Sequence, residues 1–91
     1  MLIRSQNKAF LLNFSNLTVA YIVKDDENFV VSSLESENRY SLGKYSSEAK
    51  ALKVLDMIQE AYCKFMSVKN DDAWDGKESV FYMPENSEVE E

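Results

Sequence analysis

The chain has 91 residues, a net charge of -6 and 45% hydrophobic residues, a composition typical of one soluble domain with a modest core. It contains no histidine and a single cysteine, which excludes catalytic histidines, internal disulfides and clustered zinc ligands. We therefore expect a non-enzymatic protein without cofactor or metal, and the low cysteine content favours the reducing cytosol.

Negative charge is concentrated near the carboxyl end of the chain. From Asn70 onward there are eight acidic residues and one lysine, whereas the preceding part is close to neutral. A protein that binds duplex DNA neutralises phosphates with a basic face, and no basic block is present. No apolar run is long enough to cross a membrane, so neither duplex nucleic acid nor a membrane is an expected partner.

The first half of the chain predicts a series of strands. β-Branched and aromatic residues alternate most clearly over 17–23, and an acidic turn follows at 25–28. A polar break at 5–8 separates two short apolar segments, which predicts a hairpin at the start of the chain. The expected strands are 2–4, 10–12, 17–23, 29–33 and 39–44.

Residues 45–66 form the only segment with a helical apolar period, and Ser46 or Ser47 can cap it. A last strand is expected at 79–83, where Pro84 stops it. The sequence thus predicts an α+β fold: an antiparallel meander of about five to six strands with one long amphipathic helix packed on one face. Residues 1–84 form the domain, and 85–91 are expected to be an acidic disordered tail.

One helix covers only one face of such a sheet, yet apolar residues fall on both faces of several strands. Ile22 is flanked by Tyr21 and Val23, and Val30 by two further apolar residues. Either the sheet curls on itself or a second copy covers the other face. Because symmetric dimers are the commonest solution, we expect a homodimer or a higher homo-oligomer.

Basic and aromatic residues recur near the expected strand ends and turns. Guanidinium, ammonium and ring groups in such positions suit a phosphorylated, base-containing ligand, although scattered surface charge is the simpler interpretation. The candidate ligand-binding residues are Arg4, Lys8, Arg39, Tyr40, Lys44 and Tyr45.

A second candidate site lies in the acidic segment, where Asp71, Asp72 and Asp75 surround Trp74. These acids lack the alternating ligands and central glycine of an EF-hand loop, so a solvated loop is the simpler interpretation. The alternative is a surface that mimics nucleic-acid phosphates and occupies a basic groove on a protein partner.

Four segments carry a resemblance to known proteins: 2–8, 42–48, 51–59 and 80–84. Together they resemble small, uncharacterised phage and prophage proteins of Gram-positive bacteria. The resemblance implies a compact strand-helix-strand module from a mobile element, acting in the cytoplasm of a bacterial host, and assigns no site residues.

Three functions remain open for such a protein. The first is a phage accessory protein against host antiviral defence, an oligomeric sponge that sequesters a small nucleotide immune signal. The second is an acidic protein-protein inhibitor of a host nuclease such as a CRISPR effector. The third is a structural or assembly accessory of a phage particle.

Overall fold

The computed structural model describes residues 1–17, 19–68 and 80–90 and confirms an α+β fold with one long helix. Within these residues the strands form two three-stranded sheets, in the orders β2-β1-β6 and β3-β4-β5. The elements are β1 (Leu2–Arg4), β2 (Leu11–Asn13), β3 (Val19–Asp25), β4 (Asn28–Glu35), β5 (Asn38–Tyr45), α1 (Glu48–Val68) and β6 (Val80–Tyr82).

The first sheet corrects the prediction of a single antiparallel meander. The expected hairpin is present, with Ile3 of β1 opposite Leu12 of β2. On its other side, β1 pairs with β6 in parallel, with Ile3 opposite Phe81. Parallel pairing needs a long crossover, and here most of the chain, including α1, lies between the two strands.

The second sheet is the predicted antiparallel meander. Asp26 and Ser36 adopt positive φ angles of 54° and 55° in its two turns, the left-handed conformation that tight hairpins use. Its register shifts within β4, so that Val31 lies opposite Gly43 while Ser32 lies opposite Ser41. The shift is a β-bulge, in which β5 contributes one extra residue, Leu42, between these two pairs. The extra residue changes which face of the sheet the side chains beyond it occupy.

The core lies between the second sheet, the first sheet and one side of α1. Ala51, Val54 and Ile58 of the helix are buried, as the predicted apolar stripe requires, whereas Met66 near its end is exposed. The helix begins as expected from a serine cap, because the backbone N–H of Lys50 donates to Ser47 Oγ at 3.2 Å.

The carboxyl-terminal residues 85–90 are ordered, which corrects the prediction of a disordered tail over this part. Val89 is only 4% exposed and belongs to the core cluster. Lys50 Nζ donates to the Asn86 carbonyl at 3.1 Å, and Lys53 Nζ donates to the Glu90 carbonyl. One buried valine and two lysine contacts to the helix contribute to holding this polar segment against its ordering entropy.

Candidate functional site

The six predicted ligand-binding residues do not form one cluster. Arg4 lies on β1 and Lys8 in the β1–β2 turn, both in the first sheet. The other four belong to β5 of the second sheet, where side chains alternate between faces. We call the face of this sheet opposite α1 the outer face, which carries Tyr21, Val23, Val30, Ser32, Arg39, Ser41 and Lys44.

Tyr45 is a core residue and lies on the helix side of β5. It is 1% exposed, and its hydroxyl donates to the Pro84 carbonyl oxygen at 2.8 Å. Burial, assisted by the carboxylates of Glu85 and Glu88, raises the pKa of the Tyr45 phenol well above its ordinary value. The predicted contact between this ring and a ligand is therefore replaced by a structural role.

Tyr40 also points to the inner side of the sheet, since it pairs with the buried Ser33. Its ring lies against that of Phe10, with 6.0 Å between the two centroids. This contact joins the second sheet to the N-terminal hairpin. Neither predicted tyrosine of β5 thus lies on the same face as Arg39 and Lys44.

Arg39 and Lys44 both lie on the outer face, where each lines one of two adjoining hollows of about 260 and 310 Å³. The hollows share Asp25, Val30 and Ser41, and we call the pair the outer-face groove. Lys44 lines one end of it and Arg39 the other. Among the described residues the groove is open to solvent, although its lining residues Val30 and Ser32 are only 9% and 7% exposed.

The two cations of the groove differ in their surroundings. Lys44 Nζ lies 3.9 Å from a carboxylate oxygen of Asp25, an exposed pair of the kind that contributes little to stability. Within the part of the chain that the structure describes, Arg39 forms no ion pair. Its five N–H donors are therefore available for a planar or tetrahedral anion.

Tyr21 is the groove residue that the sequence did not single out. It lies opposite Ser32, which in turn lies opposite Ser41, so one ring and two hydroxyls form a row across the three strands. The alternation of Tyr21 with Val19 and Val23 predicted a strand, but it did not predict which residues of the neighbouring strands would share a face with Tyr21. Only the register to β4 and β5 places this ring on the face whose groove Arg39 also lines.

Arg4 and Lys8 meet a second exposed aromatic residue, Tyr82 of β6. Arg4 lies directly opposite Tyr82, and Lys8 Nζ lies 5.7 Å from the centroid of that ring, which is 62% exposed. The parallel pairing that creates this patch could not be predicted from local sequence, and Tyr82 was expected only as part of an edge strand.

Asp71, Asp72, Trp74 and Asp75, the predicted acidic partner site, lie outside the described residues. Within the described ranges, no group of three or more potential ligands could hold a metal ion. No helix in that same part of the chain has the length and apolar character needed to cross a membrane.

No protein-family model matches the chain, and comparisons with curated proteins and with solved structures find no match. The geometry of the outer-face groove and of the Arg4–Lys8–Tyr82 patch is therefore the basis for a functional proposal.

Proposed function

We propose that this chain is a non-enzymatic binding protein whose outer-face groove captures a small phosphorylated, base-containing ligand. The observation that supports this most is the placement of Arg39 and Lys44 on the same open face as Tyr21. Cations supply phosphate partners, and an aromatic ring on a sheet surface supplies a platform on which a base can stack.

Each groove residue has a distinct part in the proposed complex. Arg39 offers a bidentate fork to one phosphate, and Lys44 offers a point charge to another. Tyr21 stacks against a base, while the hydroxyl of the exposed Ser41 is available to ribose or phosphate oxygens. Arg39 and Lys44 lie opposite Leu34 and Val30, four residues apart on β4, so at roughly 3.3 Å per strand residue their backbones are about 13 Å apart, a span that suits a ligand with more than one phosphate.

The biological role that we propose follows from the resemblance to phage and prophage proteins. A protein that binds a signalling nucleotide without cleaving it lowers the free concentration of that signal by mass action. We propose that the chain acts in this way in the bacterial cytoplasm, as a homodimer or higher homo-oligomer that counteracts nucleotide-based host defence.

Titration calorimetry with cyclic dinucleotides, linear dinucleotides and mononucleotides tests the groove. Loss of a charge-assisted, bidentate contact costs about 1.5–3 kcal/mol, so Arg39→Ala should weaken binding roughly 10- to 100-fold. The matched control is Arg4→Ala, which removes the same side chain from the other sheet.

The two arginine variants separate the possible outcomes. Weaker binding by Arg39→Ala alone supports the groove as the ligand site. Weaker binding by Arg4→Ala alone moves the site to the Arg4–Lys8–Tyr82 patch. An absence of binding by the wild-type protein to every nucleotide tested would overturn the proposed function.

A second candidate function is the acidic protein-protein inhibitor, and one observation favours it. Exposed Glu85, Glu88 and Glu90 lie on a segment that Lys50 and Lys53 fix to the helix, so these acids are preorganised. Binding to a nuclease should then weaken steeply with salt and on Glu85→Gln/Glu88→Gln substitution. A phage structural accessory would instead copurify with virions and bind neither nucleotide nor nuclease.

A further inference from the structure

β3 forms one edge of the second sheet. Its backbone pairs with β4 along its whole length, from Val19 opposite Leu34 to Asp25 opposite Asn28. Within the described residues, no backbone hydrogen bond joins β3 to anything except β4. Among the residues of ranges 1–17, 19–68 and 80–90, the N–H and C=O groups on its other side therefore have no strand partner.

The opposite edge of the same sheet is closed by Gln6. The backbone N–H of Gln6 donates to the Leu42 carbonyl at 2.7 Å. Its side-chain carboxamide then imitates a strand residue: Oε1 accepts from the N–H of Lys44 at 2.9 Å, and Nε2 donates to the Lys44 carbonyl at 3.2 Å. Among the described residues, one edge of the sheet is thus satisfied and the other is not.

The sequence of β3 lacks the usual protection of a free edge. Natural edge strands carry proline, bulges or central charges that prevent pairing with another chain. β3 contains no proline, pairs with β4 without a register shift, and places its charges only at Lys24 and Asp25. Val19 and Val23 remain 43% and 41% exposed.

We propose that β3 pairs with β3 of a second copy, in antiparallel orientation, about a two-fold axis at Tyr21. In this register Val19 lies opposite Val23 of the second copy, Ala20 lies opposite Ile22, and Lys24 and Asp25 remain outside the paired segment. A register centred on Ile22 would instead set Val19 against Asp25. Of these two registers, the first sets both exposed valines in apolar cross-strand pairs and keeps the charged residues out of the paired segment.

Such pairing extends the two meanders into one continuous sheet and leaves the two outer-face grooves on the same side of it. This interface specifies the oligomer included in the proposed function, but it forms without ligand. The dimer and the nucleotide capture can therefore fail separately, and the tests below use protein free of nucleotide.

Analytical ultracentrifugation should give twice the 10.5 kDa chain mass for the wild-type protein. Val19→Lys/Val23→Lys places lysine opposite lysine in the proposed register and should halve the observed mass, with an unchanged circular dichroism spectrum. The matched control is Leu52→Lys, which changes another exposed apolar residue, on the helix, and should remain dimeric.

Crosslinking tests the register even if the double lysine variant does not fold. In a Cys63→Ser background, Tyr21→Cys sets two thiols opposite each other at the two-fold axis, so oxidation should give a covalent dimer. Ile22→Cys in the same background should crosslink far less. A monomeric wild-type protein, a folded double lysine variant that stays dimeric, or preferential crosslinking by Ile22→Cys would overturn the proposal.

Discussion

The two faces of the second sheet are built from the same three strands, yet they differ in almost every physical respect. The helix side carries Val31, Leu42 and Tyr45, all nearly inaccessible to water. The outer face carries Arg39 and Lys44, both exposed, over an open groove. Side chains one position apart in a strand therefore face different environments, one in the core and its neighbour at the groove.

This difference explains why a motif that looks continuous in sequence is divided in space. Arg39 and Tyr40 are adjacent, as are Lys44 and Tyr45, and in each pair the cation faces outward and the ring inward. Inward rings contribute apolar burial, whereas outward cations contribute little to stability. Substitutions on the two faces should consequently separate stability from binding.

The largest effect is expected on the helix side, for Leu42→Ala. Leu42 is buried in the main cluster, and a Leu→Ala cavity costs about 2–5 kcal/mol of the free energy of unfolding. In the monomer Val23, on the outer face, is 41% exposed, so Val23→Ala should cost the monomer less than about 1 kcal/mol. Urea denaturation of both variants measures the contrast, and equal losses would mean that the two faces are not as different as they look.

The next effect concerns Gln6, which joins the two sheets at the edge of β5. Its side chain forms three hydrogen bonds, two with the Lys44 backbone and one with the Pro84 carbonyl. Gln6→Ala should lower the free energy of unfolding by about 1–3 kcal/mol, because the β5 edge loses its partner. Gln59→Ala on the exposed side of the helix is the control, and an equal effect there would contradict the role of Gln6.

A smaller effect, with a distinctive pH dependence, is expected for Tyr45→Phe. Loss of the hydrogen bond to Pro84 should cost about 1 kcal/mol near neutral pH. The pKa of Tyr45 is raised in the folded state, so folding favours the protonated phenol. Its stabilising contribution is therefore complete below the unfolded pKa of about 10 and is lost as the pH rises beyond it.

Denaturation curves of the wild-type protein and of Tyr45→Phe, recorded between pH 8 and 11, separate the contribution of Tyr45 from that of the lysines, because both proteins contain the same lysines. The wild-type protein should lose stability above about pH 10 more steeply than Tyr45→Phe, with an added slope of at most about 1.4 kcal/mol per pH unit. Identical pH profiles for the two proteins would show that the Tyr45 phenol is not protected from ionisation by the fold.

Local sequence was sufficient to predict the elements that depend on local physics. The alternation over 19–23, the helical stripe from Ala51 to Ile58 and the serine cap at Ser47 correspond to the structure, although the strand predicted at 17–23 runs from Val19 to Asp25. Each of these rests on interactions between residues close in the chain. The α+β class and the strand number followed from them.

Features that depend on distant pairing were not predicted. The parallel contact of β6 with β1 requires a match between the two ends of the chain, and neither strand has more than three residues to signal it. The bulge at Leu42 and the row of Tyr21 with Ser32 depend on register, which alternation alone leaves open. The sequence placed Val89 in a polar tail, because the apolar residues that bury its side chain belong to the folded core and lie far away in the chain.

The smallest change in stability is expected for Asp25→Asn, which should nonetheless change binding. The exposed pair between Asp25 and Lys44 is worth little to the fold, so the free energy of unfolding should stay within about 0.5 kcal/mol. The Asp25 carboxylate also repels a phosphate bound at Lys44. Two unit charges near 4 Å apart in water interact by roughly 1 kcal/mol, so removal of the carboxylate charge should raise the affinity for the ligand about fivefold. Asp26→Asn, in the adjoining turn and outside the groove lining, is the calorimetric control. Equal tightening by both variants would indicate a general effect of net charge, whereas tightening by Asp25→Asn alone would indicate that phosphate binds at Lys44.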